Sequence, residues 1–166
     1  MPSNFAIMAK KHIQAIEFTP EFDFLVFGIF CSYRDYRLCF EINKKLEFQL
    51  QRQADMEVKL DRKGSNGLFA NFLFTTENEE EIYLVSNKCP IGLLIPEHKA
   101  IDYFLVVKNC SRYIVPDELM NAVKSISIVS SIIAMDPGSL KSVENFLLLE
   151  PVNEPEYEKP KIPPVI

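Results

Sequence analysis

Residues 95–107, IPEHKAIDYFLVV, bring a proline, two carboxylates and an imidazole to the start of an apolar run. Glu97, His98 and Asp102 are residue types of general acid–base catalysis. Two carboxylates in unequal surroundings can divide into acid and base, and an imidazole titrates near neutrality. Their spacing does not enforce that arrangement. A turn over 97–101 lets Glu97 and Asp102 face each other or diverge, and it leaves His98 at a solvated apex. The alternative is structural. Pro96 ends a regular strand and pushes Ile95 towards extended backbone. Glu97 and Asp102 would then accept hydrogen bonds from turn amides or an arginine, fixing the start of the strand that opens at Tyr103. Arg34 and Arg37 of SYRDYR, flanking Asp35, are the available donors. A carboxylate–arginine brace between the two motifs is the preferred expectation.

Other chemistries find little support. Cys31, Cys39, Cys89 and Cys110 have neither zinc-knuckle nor redox-pair spacing, and the chain holds only two histidines, so no metal cluster is expected. All four are expected as reduced thiols. Cys31 and Cys39 have arginines nearby that would lower a thiol pKa, yet no histidine is patterned as a partner. A glycine-rich phosphate loop, a G-x-S-x-G elbow and an H-x-x-x-H pair are all absent. No cofactor is expected.

Composition sets further bounds. The 166 residues are 48% hydrophobic and 25% charged, enough to bury a core and too apolar for intrinsic disorder. A formal charge of −5 disfavours general attraction to nucleic acid. No signal-like apolar segment opens the sequence and no run reaches a membrane-spanning length, so a cytoplasmic protein without a membrane partner is expected.

The elements that must position these residues follow from periodicity. Strands are predicted at 12–18, at 22–31 around Gly28, at 68–75 and 81–87 as a hairpin, at 93–95, at 103–108 and at 128–135. Gly28 marks a bulge or a close backbone approach. Met56 to Leu60 reads as an edge strand with Val58 and Leu60 inward. Ser32 and Asp35 resemble a capping box for a helix over 33–46, with Cys39, Ile42 and Leu46 as its apolar stripe. Pro116, Asp117 and Glu118 open a second helix that buries Leu119, Val123 and Ile126. Leu140, Val143 and Leu147 suggest a short terminal helix. From Glu150 there are five prolines in 17 residues, which read as a polyproline-rich tail on a domain spanning 1–149. FDFLVFGIFCS at 22–32 also echoes IDYFLVVKNCS at 101–111, either as two related strand–helix units or as two buried strands that converged.

IPEHKAIDY, spanning Ile95 to Tyr103, resembles the signature of the bacterial IPExxxVDY family, with Ile101 in place of valine. DYRLCFEIN, SNK and LKSVENFL extend the resemblance to residues 9–148. It implies no activity, cofactor or catalytic residue. Family genes that neighbour those of ribonuclease III and pyruvate kinase would suggest an RNA-associated role.

The expected fold is α+β: an antiparallel-rich sheet of about six strands with two main helices packed on one face. The expected function is a non-catalytic protein- or ligand-binding module with a protein partner. Recognition would use an exposed sheet face or the surface around Asp35, Arg37, Pro96, Glu97, Asp102 and Tyr103. A small hydrolase-like enzyme using Glu97 and Asp102, or an RNA-associated accessory protein, are the alternatives. A deep pocket holding both carboxylates would favour the enzyme. An exposed aromatic row flanked by Lys or Arg would favour RNA.

Overall fold

The computed structural model describes residues 22–61 and 63–151. The strand expected at 12–18 and most of the proline-rich tail lie outside them. The chain runs through β1 (Phe24–Phe30), α1 (Asp35–Leu46), β2 (Gln51–Arg52), β3 (Met56–Lys59), β4 (Asn66–Phe69), β5 (Asn71–Thr75) and β6 (Glu81–Ser86). It continues through β7 (Lys88–Cys89), β8 (Gly92–Leu93), β9 (Tyr103–Lys108), α2 (Pro116–Lys124), β10 (Ser131–Met135), a 3-10 turn (Pro137–Ser139) and α3 (Glu144–Leu147). Six strands form the main sheet in the order β10-β1-β9-β6-β5-β2, and every pairing is antiparallel. The α+β architecture matches the sequence expectation.

The two central strands, FLVFGIF and YFLVVK, are apolar at nearly every position because both faces of the sheet are covered. On one face α1 contributes Leu38, Cys39 and Ile42, and α2 contributes Leu119 and Val123. These pack on Leu25, Phe27, Ile29, Leu84 and Leu105. Leu38, Ile42 and Val123 are fully buried, and each stabilises the fold by about 1.5–3 kcal/mol relative to exposure. On the other face the β3–β4 hairpin places Met56, Val58 and Phe69 over Tyr83, Val85 and Val106. The C-terminal segment adds Leu140, Val143 and Phe146, whose ring meets Phe104 edge-on at 5.1 Å. Neither face of the central strands is free, and exposed residues of the main sheet lie on its outer strands, such as Ile133 on β10.

Several boundaries differ from the periodic reading. Residues 68–75 are not one strand. The chain bends at Ala70, so β4 pairs with β3 in a separate two-stranded sheet and β5 joins the main one. Asn71 holds the bend, its amide donating to the Ala54 carbonyl at 2.7 Å. The segment at 56–60 therefore edges this small sheet, with Met56 and Val58 inward and Leu60 only half-buried. Of the strand expected at 93–95, only Leu93 is in ladder pairing, in the β7–β8 hairpin. Ser32 does not cap α1. Its N-cap is Arg34, extended and without a side-chain cap, because the chain from Cys31 to Tyr33 is held elsewhere. The terminal helix shrinks to one turn in which Phe146 is buried and Leu147 is exposed.

The two echoing segments are neighbours, yet they are not equivalent. The echo aligns Phe24 with Tyr103, while the ladder pairs Phe24 with Lys108 and Ile29 with Tyr103. Phe24 consequently points into the hairpin layer and Tyr103 into the helix layer. An odd offset reverses every side chain of a strand, so a repeated unit would have exchanged its faces. The two segments are therefore not structural counterparts within the sheet.

Gly28 marks neither a bulge nor a backbone approach; it pairs regularly with Ile133 and Phe104, and the atoms near it are side chains. A Cβ there would stand 2.6 Å from Ile101 Cδ1, in the layer where the loop before β9 crosses β1. Gly28→Ala is expected to destabilise by about 1–3 kcal/mol in denaturant melts. Adding Ile101→Val, which removes that methyl group, should recover part of the loss, so the double variant should cost less than the sum of the singles.

Candidate functional site

The site begins at Asn87, between β6 and β7, whose side chain is fully buried. Its Nδ2 donates to the carbonyls of His98 at 2.9 Å and Ile101 at 2.8 Å, while Oδ1 accepts from the Ile95 amide at 2.8 Å. Its own amide donates to Asp102 O at 2.9 Å, and its carbonyl accepts from Leu94 N at 2.8 Å. One residue therefore satisfies five backbone groups of the loop from Leu94 to Asp102. Two consecutive turns, His98 N to Ile95 O and Ile101 N to His98 O, complete that loop. Pro96 sits exposed at its start and interrupts pairing beyond Ile95.

Asp102 and Tyr103 then grip the exit of β1. Asp102 Oδ2 accepts from Cys31 N at 2.8 Å, and Asp102 N donates to Ile29 O at 3.0 Å. The Tyr103 hydroxyl donates to the Tyr33 carbonyl at 2.7 Å. Burial, reinforced by Asp35, Cys31 and Asp102, pushes the Tyr103 pKa up and keeps the phenol a neutral donor. Asp102 Oδ1 accepts from Lys88 Nζ at 2.6 Å.

The brace exists with different donors. Arg37 does not reach Asp102: it lies on the outer side of α1, paired with Glu41 at 2.8 Å and stacked over Phe40 at 5.8 Å. Helical spacing explains the exchange, since residues four apart meet on one face. Asp35 accepts from the Tyr36 amide at 2.8 Å. Glu97 turns away from Asp102 altogether. Its oxygens take Ser142 N at 2.7 Å and Ser142 Oγ at 2.9 Å, while Asn145 donates to Leu94 O at 2.7 Å. Burial raises the Glu97 pKa, and the hydrogen bonds from backbone and Ser142, with His98 nearby, outweigh it and leave the carboxyl below its usual range.

Sequence reasoning missed Asn87, Lys88 and Ser142. SNK carried the only available signal, an asparagine between a strand and a Cys-Pro-Ile-Gly turn, and that pattern does not reveal burial.

Beside the brace lies an open cleft of about 560 Å³ where Arg34, Asp35, Arg52, Leu68, Lys88 and Tyr103 meet. Its cations differ. Arg52 is pinned by Asp55 and by the Asn71 carbonyl at 3.3 Å, and Lys88 is held by Asp102. Arg34 has no side-chain hydrogen bond or ion pair among the described residues. Leu68 is 54% exposed. Tyr33, just before α1, and Tyr36 and Phe40 on it are exposed, and the Arg37 guanidinium lies 5.8 Å from the Phe40 ring centre.

All four cysteines are free. Burial raises the thiol pKa of Cys31 and Cys110, and burial with Asp35 beside it raises Cys39 to about 11. These three stay protonated near neutrality, the reverse of an activated nucleophile. Among the described residues no group of His, Cys, Asp and Glu is arranged to hold a metal ion, and no helix is long and apolar enough to cross a membrane. No protein-family model, curated protein or solved structure matches this chain.

Two predictions follow the brace to its energetics. Asn87→Ala strands several buried backbone groups and should cost about 3 kcal/mol or more in denaturant melts. Within double-mutant cycles, Asp102→Asn should couple to Lys88→Met by about 1 kcal/mol and be additive with Arg37→Met.

The Glu97 carboxylate is stabilised in the folded chain, so its contribution is complete above the unfolded glutamate pKa of about 4.3 and fades as pH falls through the lower folded value. Glu97→Gln should therefore cost about 1 kcal/mol or less at neutral pH, and the difference from wild type should vanish in strong acid.

Proposed function

We propose that this chain is a non-catalytic binding module whose recognition surface is the cleft between the start of α1, β2, β4 and the β7–β8 hairpin. The observation that carries the reading is where polar capacity is used and where it is left over. Glu97 and Asp102 accept bonds from donors in different parts of the fold, so each carboxylate is already engaged. Arg34, by contrast, lines the same open cleft as the exposed Leu68. A charged donor next to uncovered apolar surface suits recognition. A place in the IPExxxVDY family belongs to the same proposal, resting on IPEHKAIDY, DYRLCFEIN, SNK and LKSVENFL.

One observation favours a second reading, association with single-stranded RNA. The exposed rings of Tyr33, Tyr36 and Phe40, with Arg37 over Phe40, are of the kind that stack on bases. The net charge of −5 and the Glu41 carboxylate beside Arg37 oppose it.

Selection of random displayed peptides on the immobilised full chain tests the primary reading. Binders should lose at least about tenfold in affinity, about 1.4 kcal/mol, on Leu68→Glu and keep it on Tyr113→Ala. Binders indifferent to Leu68→Glu, or none, would remove the cleft. Tight binding of single-stranded RNA at low salt, abolished by Phe40→Ala, would favour the second reading.

A further inference from the structure

Resting on that reading of the cleft, we infer that its occupant is an extended peptide segment of a partner protein, with one carboxylate beside an apolar side chain. The charges lining the cleft decide the sign. Lys88 is neutralised by Asp102 at 2.6 Å, and Arg52 by Asp55 with carbonyls of Gln53 and Asn71 at 2.5 and 3.3 Å. Asp35 already accepts from the Tyr36 amide. Arg34 remains as the lining cation without a partner among the described residues. One unspent guanidinium calls for one carboxylate, which it holds through two parallel N–H bonds.

A phosphate-rich ligand fits worse. It needs several free donors, and Arg34 is the one lining cation without an ion pair among the described residues. The apolar side of the cleft defines the second requirement. Leu68 is 54% exposed on β4 between the buried Gly67 and Phe69, and Ala70 and Pro90 lie beside it. That surface would cover one aliphatic or aromatic side chain next to the carboxylate. Tyr103 and Asp102 fix the geometry by holding the chain at Tyr33 and Cys31, so Arg34 is presented by a braced segment. A donor fixed in advance loses less freedom on binding.

Charge reversal gives the test. Arg34→Glu should leave the melting temperature unchanged, because the side chain is exposed and holds no structural contact. The displayed library should yield Asp or Glu next to an apolar residue on wild type, and Lys or Arg at that position on Arg34→Glu. A wild-type-selected peptide should lose about tenfold or more on Arg34→Glu and regain it when its acidic residue becomes lysine. Binders without acidic preference that still depend on Leu68 would sink this inference and leave the cleft reading intact. Displacement of the selected peptide by inorganic phosphate or single-stranded RNA would overturn the peptide assignment. Absence of any cleft-dependent binder would remove both.

Discussion

The buried amide of Asn87 is the constraint from which the rest of the site follows. A loop of nine residues, Leu94 to Asp102, crosses the end of the sheet with several carbonyls and amides turned inward. Backbone groups buried without partners cost about 1–3 kcal/mol each. Asn87 satisfies five of them from one position, two through Nδ2, one through Oδ1 and two through its own backbone. Only a side chain with both donor and acceptor can serve this loop, so aspartate or leucine would each leave groups unmatched. Once the loop is fixed, Ile101 is driven over Gly28, and Asp102 and Tyr103 arrive where β1 ends.

That placement gives each carboxylate at the strand start a partner within the fold. Asp102 is drawn to a backbone amide and a lysine, and Glu97 to a serine that opens the last helical turn. Each holds a distant part of the chain: Cys31 lies 71 residues from Asp102, and Ser142 lies 45 from Glu97. An acid–base pair of carboxyls must face one substrate together. Here the two are committed to separate donors, and the fold uses their charge as cross-links between layers. The same logic recurs at the buried Glu80, which accepts from Thr76 at 2.9 Å and from the Ser111 amide at 3.1 Å. Of the three cations that line the open cleft, Arg34 is the one without an ion pair among the described residues.

The sheet tolerates this polar bracing because its apolar layers are continuous. Helices cover one face, while a hairpin and the C-terminal turn cover the other. Lys108 fastens the second layer, donating to the Leu149 carbonyl with its ammonium 5.5 Å from the Tyr83 ring centre. Burial lowers its pKa, with Glu81 and Glu150 opposing that shift. The cysteines follow the same pattern, since burial lifts the pKa of three thiols out of the range of reactive ones.

By itself, the sequence determined the fold class, both main helices and the central strands. Their apolar period, the proline at the start of α2 and the turn residues all act over a few positions. It also singled out Gly28, where side chains rather than backbone approach, and an arginine partner for Asp102 and Glu97 that neither carboxylate has. Tertiary structure alone decided which donors those carboxylates would meet. Arg37 carried the right charge, but it turned to Glu41 one helical turn away, while Lys88 and the Cys31 amide arrived from other strands. The division of LFANFLFT between two sheets, the burial of Asn87 and the freedom of Arg34 were illegible for one reason. Periodicity records which face of an element is apolar, whereas a hydrogen-bond partner is fixed by register and packing between segments tens of residues apart.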